Sequence, residues 1–223
     1  MMLDALAASY RAYPLRWMVA LLLPFMVFPG IDLTVSGWFY QPGAGFYLKE
    51  LPFFQFILKG MPAIVIGAAA YVLVLGVAGA ALGQEFLGIS KRVAAFIVLS
   101  LALGPGVVVN VILKDHWGRA RPSQIAEFGG SAHFTPPLMM ADQCSSNCSF
   151  SSGHGALGFW VIAFALLAPP RWRPLAIAAA LAFGVMVGYV RIAQGGHFLS
   201  DVVVSALVVV SLTLWLKRVL VKD

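Results

Sequence analysis

Six long apolar runs constrain this chain more than any other feature: Trp17 to Val35, Met61 to Leu82, Val93 to Leu113, Ser152 to Ala168, Leu175 to Val190 and His197 to Leu216. Runs near 20 residues match the length a helix needs to cross the hydrocarbon core of a bilayer. In lipid the backbone has no water to bond, so such a run must satisfy its own N–H and C=O groups as a helix. Short separators rich in Pro, Gly and basic residues divide most of the runs, as helix ends do. The exception is the polar stretch from Lys114 to Phe150. Six spans would take about 120 residues and leave about 100 for termini, turns and that one loop. The expectation is an all-α integral membrane protein, a six-transmembrane-helix bundle forming one membrane domain over residues 1–223, with a long outward-facing loop between helices three and four. The first run follows Arg16, exceeds a typical signal-peptide core and precedes no A-x-A site, so it reads as an uncleaved span.

Composition agrees: 61% of the 223 residues are hydrophobic and 11% charged, against about 25% charged in a soluble domain. The net charge of +6 points to no nucleic-acid partner, because nucleic-acid binding needs a basic face on a polar domain. Six spans put Arg11, Arg16, Lys91, Arg92, Arg171, Arg173, Lys217, Arg218 and Lys222 on one side, and Lys49, Lys59, Lys114, Arg119, Arg121 and Arg191 on the other. The positive-inside rule then places both termini in the cytoplasm and the long loop outside the cytoplasmic (inner) membrane. Cys144 and Cys148, the only cysteines, lie in that loop, where a disulfide persists; their spacing leaves both a bridge and two free thiols open. Gly79-x3-Gly83 and Gly184-x3-Gly188 suit close helix packing. Trp38, Phe39 and Tyr40 read as an interfacial belt, and the segment from Gly45 to Gly60 as one lying along the membrane surface. No feature of the sequence speaks to oligomeric state.

The remaining polar residues gather at one membrane level. The third run ends at Lys114 with Arg121 just beyond, the fourth begins Ser152-Gly153-His154, the fifth ends at Arg191, and the sixth begins at His197 with Asp201 one turn in. Singly, Lys114 and Arg191 read as snorkelling anchors, Ser152 as an N-cap and His197 with Asp201 as an i, i+4 pair. An aspartate in an apolar helix is costly without a partner, however, and His197 is the one in reach. Three cations without a matching acid cluster suit a multiply charged anion, Arg gripping phosphate bidentately and Lys as a point charge. The N-terminus at Gly153 and His154 adds free N–H groups. In such a cradle Asp201 would accept a hydrogen bond from His197 and leave its other nitrogen to attack phosphorus, while His154 protonates the departing oxygen. No cofactor and no metal are expected, since three cations repel a divalent ion and only Asp201 and Asp115 offer carboxylates.

These residues also carry a family resemblance. Lys114 to Pro122, KDHWGRARP, resembles the K-x6-R-P motif of the type 2 phosphatidic acid phosphatase (PAP2) superfamily. SSGH, from Ser151 to His154, resembles P-S-G-H, and RIAQGGHFLSD, from Arg191 to Asp201, resembles S-R-x5-H-x3-D. The resemblance implies phosphate binding by Lys114, Arg121, Ser152 and Arg191, a nucleophilic His197 supported by Asp201, and His154 as acid. Ser151 stands in place of the motif's proline and Val190 in place of its serine, which bears on substrate placement rather than on either histidine. The expected activity is metal-independent release of phosphate from a membrane lipid phosphate at the periplasmic face. Lipid A, phosphatidylglycerophosphate, phosphatidic acid and undecaprenyl pyrophosphate are the candidate substrates; lipid phosphotransfer and anionic-lipid transport are the alternatives. Asp32, His116 and His133 carry no assigned role.

Overall fold

The computed structural model describes residues 9–10 and 12–221. Arg11 and Lys222, counted in the topology argument, lie outside the described residues. Helix α1 (Pro14–Val27) bends by 80° into α2 (Gly30–Gly37). A small hairpin follows, β1 (Tyr40–Gln41) against β2 (Gly45–Phe46), with Tyr40 opposite Phe46. Then come α3 (Pro52–Leu82) and α4 (Lys91–His116), whose middle from Ala102 to Leu113 is wound as a π-helix. Beyond α4 the chain makes only two short 3-10 turns before α5 (Gly153–Trp160) and α6 (Ile162–Ala165). Helices α7 (Arg173–Ala193) and α8 (Leu199–Leu220) complete the described chain.

The protein is predominantly helical and integral to a membrane. Among the described residues, α3, α4, α7 and α8 are each long and apolar enough to cross one, and the bent α1–α2 pair makes a fifth if counted as one span. The fourth apolar run is shorter than its sequence suggests, because the helix breaks at Val161 and ends at Ala165, ahead of Pro169. The second run is longer: α3 starts at Pro52, where a proline's missing N–H costs nothing in a first turn. Its 31 residues reach about 46 Å at 1.5 Å per residue, so residues 52–60 are part of this helix. Of the expected aromatic belt only Trp38 is exposed; Phe39 packs edge-on against Tyr189, and Tyr40 joins Phe46 and Phe128 in an aromatic cluster.

Helix ends follow local chemistry. The Ser90 hydroxyl accepts the Val93 N–H at the start of α4, an N-cap bond that satisfies a free donor. Gly83 ends α3 in the left-handed region at φ 68°, the usual glycine stop; its role is termination, whereas its expected partner Gly79 is buried. The second glycine pair does mediate close packing. A Cβ on Gly184 would stand 2.3 Å from the Phe159 ring of α5, and one on Gly188 2.4 Å from Val202 of α8. These contacts draw α5, α7 and α8 together, and the core between them holds fully buried Trp160, whose Nε1–H donates to Ser100 Oγ at 2.9 Å on α4.

Candidate active site

At one end of this bundle meet the last turn of α4, the first of α5, the last of α7 and the first of α8. Pro105 lies within the π-helical stretch of α4, and its carbonyl accepts from the Asn110 side-chain amide at 2.7 Å. One turn on, Lys114 is buried beside the start of α5: a Cβ on Gly153 would lie 3.4 Å from Lys114 Nζ and 2.7 Å from Asn110 Oδ1. A side chain here would push Asn110 aside, so glycine lets α4 and α5 approach this closely. Ser152 caps α5, its Oγ accepting the Gly155 N–H at 3.1 Å. The serine is fully buried, and its carbonyl and that of Asp201 both accept from Ser205 Oγ at 2.9 Å, which ties α5 to α8.

Arg191 is buried at the end of α7, one guanidinium N–H bonded to Gln194 Oε1 and its Nε–H without a protein partner. Gln194 in turn donates to the Phe54 carbonyl of α3 at 3.0 Å. A Cβ on Gly196 would fall 2.2 Å from Arg191 Nη2, so a side chain here would displace the guanidinium. Arg121, half-buried, is steadied by the Asn147 carbonyl, which accepts from its Nη2 at 2.7 Å. Asn147 lies inside the loop closed by a Cys144–Cys148 disulfide with a Cα separation of 5.6 Å.

His197 is completely buried. Its Nδ1 lies 2.7 Å from the Ser149 carbonyl, which can only accept, so Nδ1 carries the proton and Nε2 is bare; among the described residues Nε2 has no hydrogen-bond partner. Burial, then the positive charges of Arg191, Lys114 and Arg121, hold the ring well below the ordinary histidine value. The imidazole is therefore neutral with a free lone pair, the state a nucleophile requires.

Asp201 differs from its expected role as hydrogen-bond partner of His197. Its Oδ2 lies 3.9 Å from His197 Nδ1 and instead accepts from Ser149 Oγ at 2.6 Å and the Phe198 N–H at 2.8 Å. Its Oδ1 accepts from Arg119 Nη1 at 2.6 Å. The carboxylate thus closes the first turn of α8 and holds Ser149, and Ser149 orients the histidine. The reason is geometric: Nδ1 of a histidine preceding the helix meets the carbonyl of the adjoining strand of loop before it meets a carboxylate one turn in.

Sequence reasoning assigned no role to Arg119, Asp32, Ser149, Gln194 or Asn110. Arg119 is fully buried between Asp201 and Asp32, donating to Asp32 Oδ2 at 2.9 Å, to Ser200 Oγ at 2.9 Å and to the Thr135 carbonyl at 2.8 Å, with its guanidinium 4.2 Å over the Phe198 ring. Asp32 also accepts the Ser200 N–H at 2.9 Å, which joins α2 to α8. Asp32, another carboxylate in an apolar run, carries the same burial cost as Asp201, but nothing local in the sequence points to its partner. His116 and His133 are exposed. The second predicted histidine, His154, sits on the first turn of α5 with Nε2 2.9 Å from the Leu58 carbonyl of α3.

Residues 93–223 match the model of the PAP2 superfamily. The chain is 37% identical over 184 residues to a lipid A 4'-phosphatase of Francisella tularensis subsp. novicida (strain U112), covering 80% of this chain and 81% of that protein. It is 34% identical over 212 residues to a lipid A 4'-phosphatase of Rhizobium leguminosarum, covering 86% and 88%. No solved structure matches. With more than half of its length matched, and Lys114, Arg121, Ser152, His154, Arg191, His197 and Asp201 all at one end of the bundle, the chain is a phosphatase and belongs to the PAP2 superfamily.

Proposed function

We propose that this protein is a metal-independent lipid phosphatase that removes the 4'-phosphate of lipid A through a phosphohistidine. The carrying observation is the bare, buried Nε2 of His197 beside three cations. Lys114, Arg121 and Arg191, with the Ser152 hydroxyl and the N–H groups at Gly153 and His154, hold the phosphoryl oxygens and neutralise charge in the transition state. Nε2 attacks phosphorus as the P–O bond to the lipid breaks, and the leaving oxygen takes a proton from His154. His154 then removes a proton from water, which attacks the phosphohistidine; inorganic phosphate leaves and Nε2 is bare again. Asp201 acts through Ser149 and the start of α8, holding the nucleophile in place.

The two relatives named above, both lipid A 4'-phosphatases, support the substrate. The site lies at helix ends, so a lipid keeps its tails in the bilayer while its phosphate reaches the cations. In this reading the chain is one membrane domain of six spans, with α1–α2 as the first and α5–α6 as the fourth, and the charge asymmetry of its ends and turns supports cytoplasmic termini and a site on the periplasmic face of the inner membrane. An anionic-lipid transporter would need the cations but no histidine held with a bare nitrogen.

The test is a panel of lipid A, phosphatidylglycerophosphate, phosphatidic acid and undecaprenyl pyrophosphate offered to purified protein and scored by free phosphate, with mass spectrometry to locate the phosphate lost. Lipid A should be turned over fastest, at the 4' position, and EDTA should leave the rate unchanged. Preference for another lipid refutes the substrate, and loss of activity in EDTA refutes the metal-free mechanism.

A further inference from the structure

The anchor of His154 comes from a proline. In an α-helix each carbonyl accepts the N–H four residues on, and for Leu58 that residue is Pro62, inside α3, which has no N–H to give. The Leu58 carbonyl is therefore without its helical partner, and it is this carbonyl that lies 2.9 Å from His154 Nε2. One turn earlier the Phe54 carbonyl accepts from Gln194, the residue bonded to Arg191. The same stretch of α3 thus steadies both a phosphate-binding arginine and the second histidine.

We infer that Pro62 is a positioning residue for the general acid: by leaving the Leu58 carbonyl free it holds His154 with its proton on Nε2 and makes Nδ1 the atom that exchanges protons with the leaving oxygen and with water. A carbonyl can only accept, so Nε2 carries hydrogen in both charge states of the ring. The catalytic proton is the one gained and lost at Nδ1. An alanine at position 62 restores an N–H aimed at Leu58 and competes for the carbonyl, which leaves the ring free to change tautomer. The inference rests on the assignment of His154 as the acid.

A general acid matters most when the leaving group is a poor one, so the experiment compares octyl phosphate, which departs as an alkoxide, with 4-octylphenyl phosphate, which departs as a phenoxide. Single-turnover cleavage of both is followed for the wild type, Pro62→Ala, Pro62→Leu, His154→Ala and the Pro62→Ala/His154→Ala double variant. General acids contribute roughly 10²- to 10⁴-fold. Pro62→Ala and Pro62→Leu should slow octyl phosphate by about tenfold and 4-octylphenyl phosphate by less than about twofold, and the double variant should be no slower than His154→Ala alone. The 15N spectrum of histidine-labelled protein should show His154 protonated at Nε2 in the wild type and a mixture of tautomers in Pro62→Ala. If His154→Ala is selective for the poor leaving group and the Pro62 variants are not, or if the tautomer is unchanged, Pro62 has no positioning role and the acid assignment stands. If His154→Ala slows both esters equally, the acid assignment itself fails, while the nitrogen spectrum still reports whether Pro62 sets the tautomer.

Discussion

A histidine that attacks phosphorus needs one ring nitrogen committed as a donor and the other bare. His197 meets this through the Ser149 carbonyl, and burial, reinforced by the neighbouring cations, keeps it neutral. His197→Ala should abolish phosphate release, measured against any substrate the wild type hydrolyses. The pH dependence follows with a definite sign. The proposed nucleophile is active when deprotonated, and its pKa lies well below the ordinary 6.5, so the acid limb of kcat/KM should fall below pH 6.5. The unfolded chain takes up this proton near 6.5 and the folded site does not, so the stability associated with neutral His197 is full above that value and declines as pH falls below it. A pH–rate profile together with thermal unfolding at several pH values checks both statements. His197, His154 and the residues proposed to bind phosphate are legible in the sequence because they lie at the ends of apolar runs and in recognisable motifs. The Ser149 carbonyl was not, since a backbone oxygen carries no residue-type signal.

At the scale of elements, the loop before α5 and the buried ion cluster between α2 and α8 do work that spacing cannot reveal. The Cys144–Cys148 bridge closes the loop that carries Asn147, and the residue after Cys148 is the Ser149 that holds His197. Reduction, or Cys144→Ser with Cys148→Ser, should weaken the hold on Arg121 and raise KM about tenfold, equivalent to about 1.4 kcal/mol; steady-state kinetics with and without reductant provide the check. Arg119→Met leaves Asp32 and Asp201 buried without their cation, and breaking such a buried network should cost about 3–5 kcal/mol. A large fall in melting temperature in detergent is the expected outcome, and an unchanged one would show that the carboxylates find other partners. The sequence did expose the cost of Asp201 inside an apolar helix, but its partner proved to be Arg119, 82 residues away, rather than His197, four residues away.

For the molecule as a whole, the proposed topology puts the loop from residue 117 to 152 on the opposite side of the membrane from the turn between α3 and α4. In a background with both native cysteines replaced by serine, Ser131→Cys should react with a membrane-impermeant maleimide from the periplasmic side. Leu87→Cys, in the α3–α4 turn and 80% exposed, should react only after the membrane is opened. The reverse pattern would invert the orientation.

By itself the sequence determined the membrane class, the approximate position of most long helices and the residue types proposed to meet phosphate. Each of these depends on local periodicity, length or charge, quantities written within one segment of chain. Only the tertiary structure decided which polar groups satisfy one another: Asp32 with Ser200 across 168 residues, Gln194 with the Phe54 carbonyl across 140, and His154 with a carbonyl 96 residues earlier. In a nearly dry interior an unpaired polar group is expensive, so these partners had to exist. Their identity depended on how the helices pack, and no spacing within a single segment encodes that.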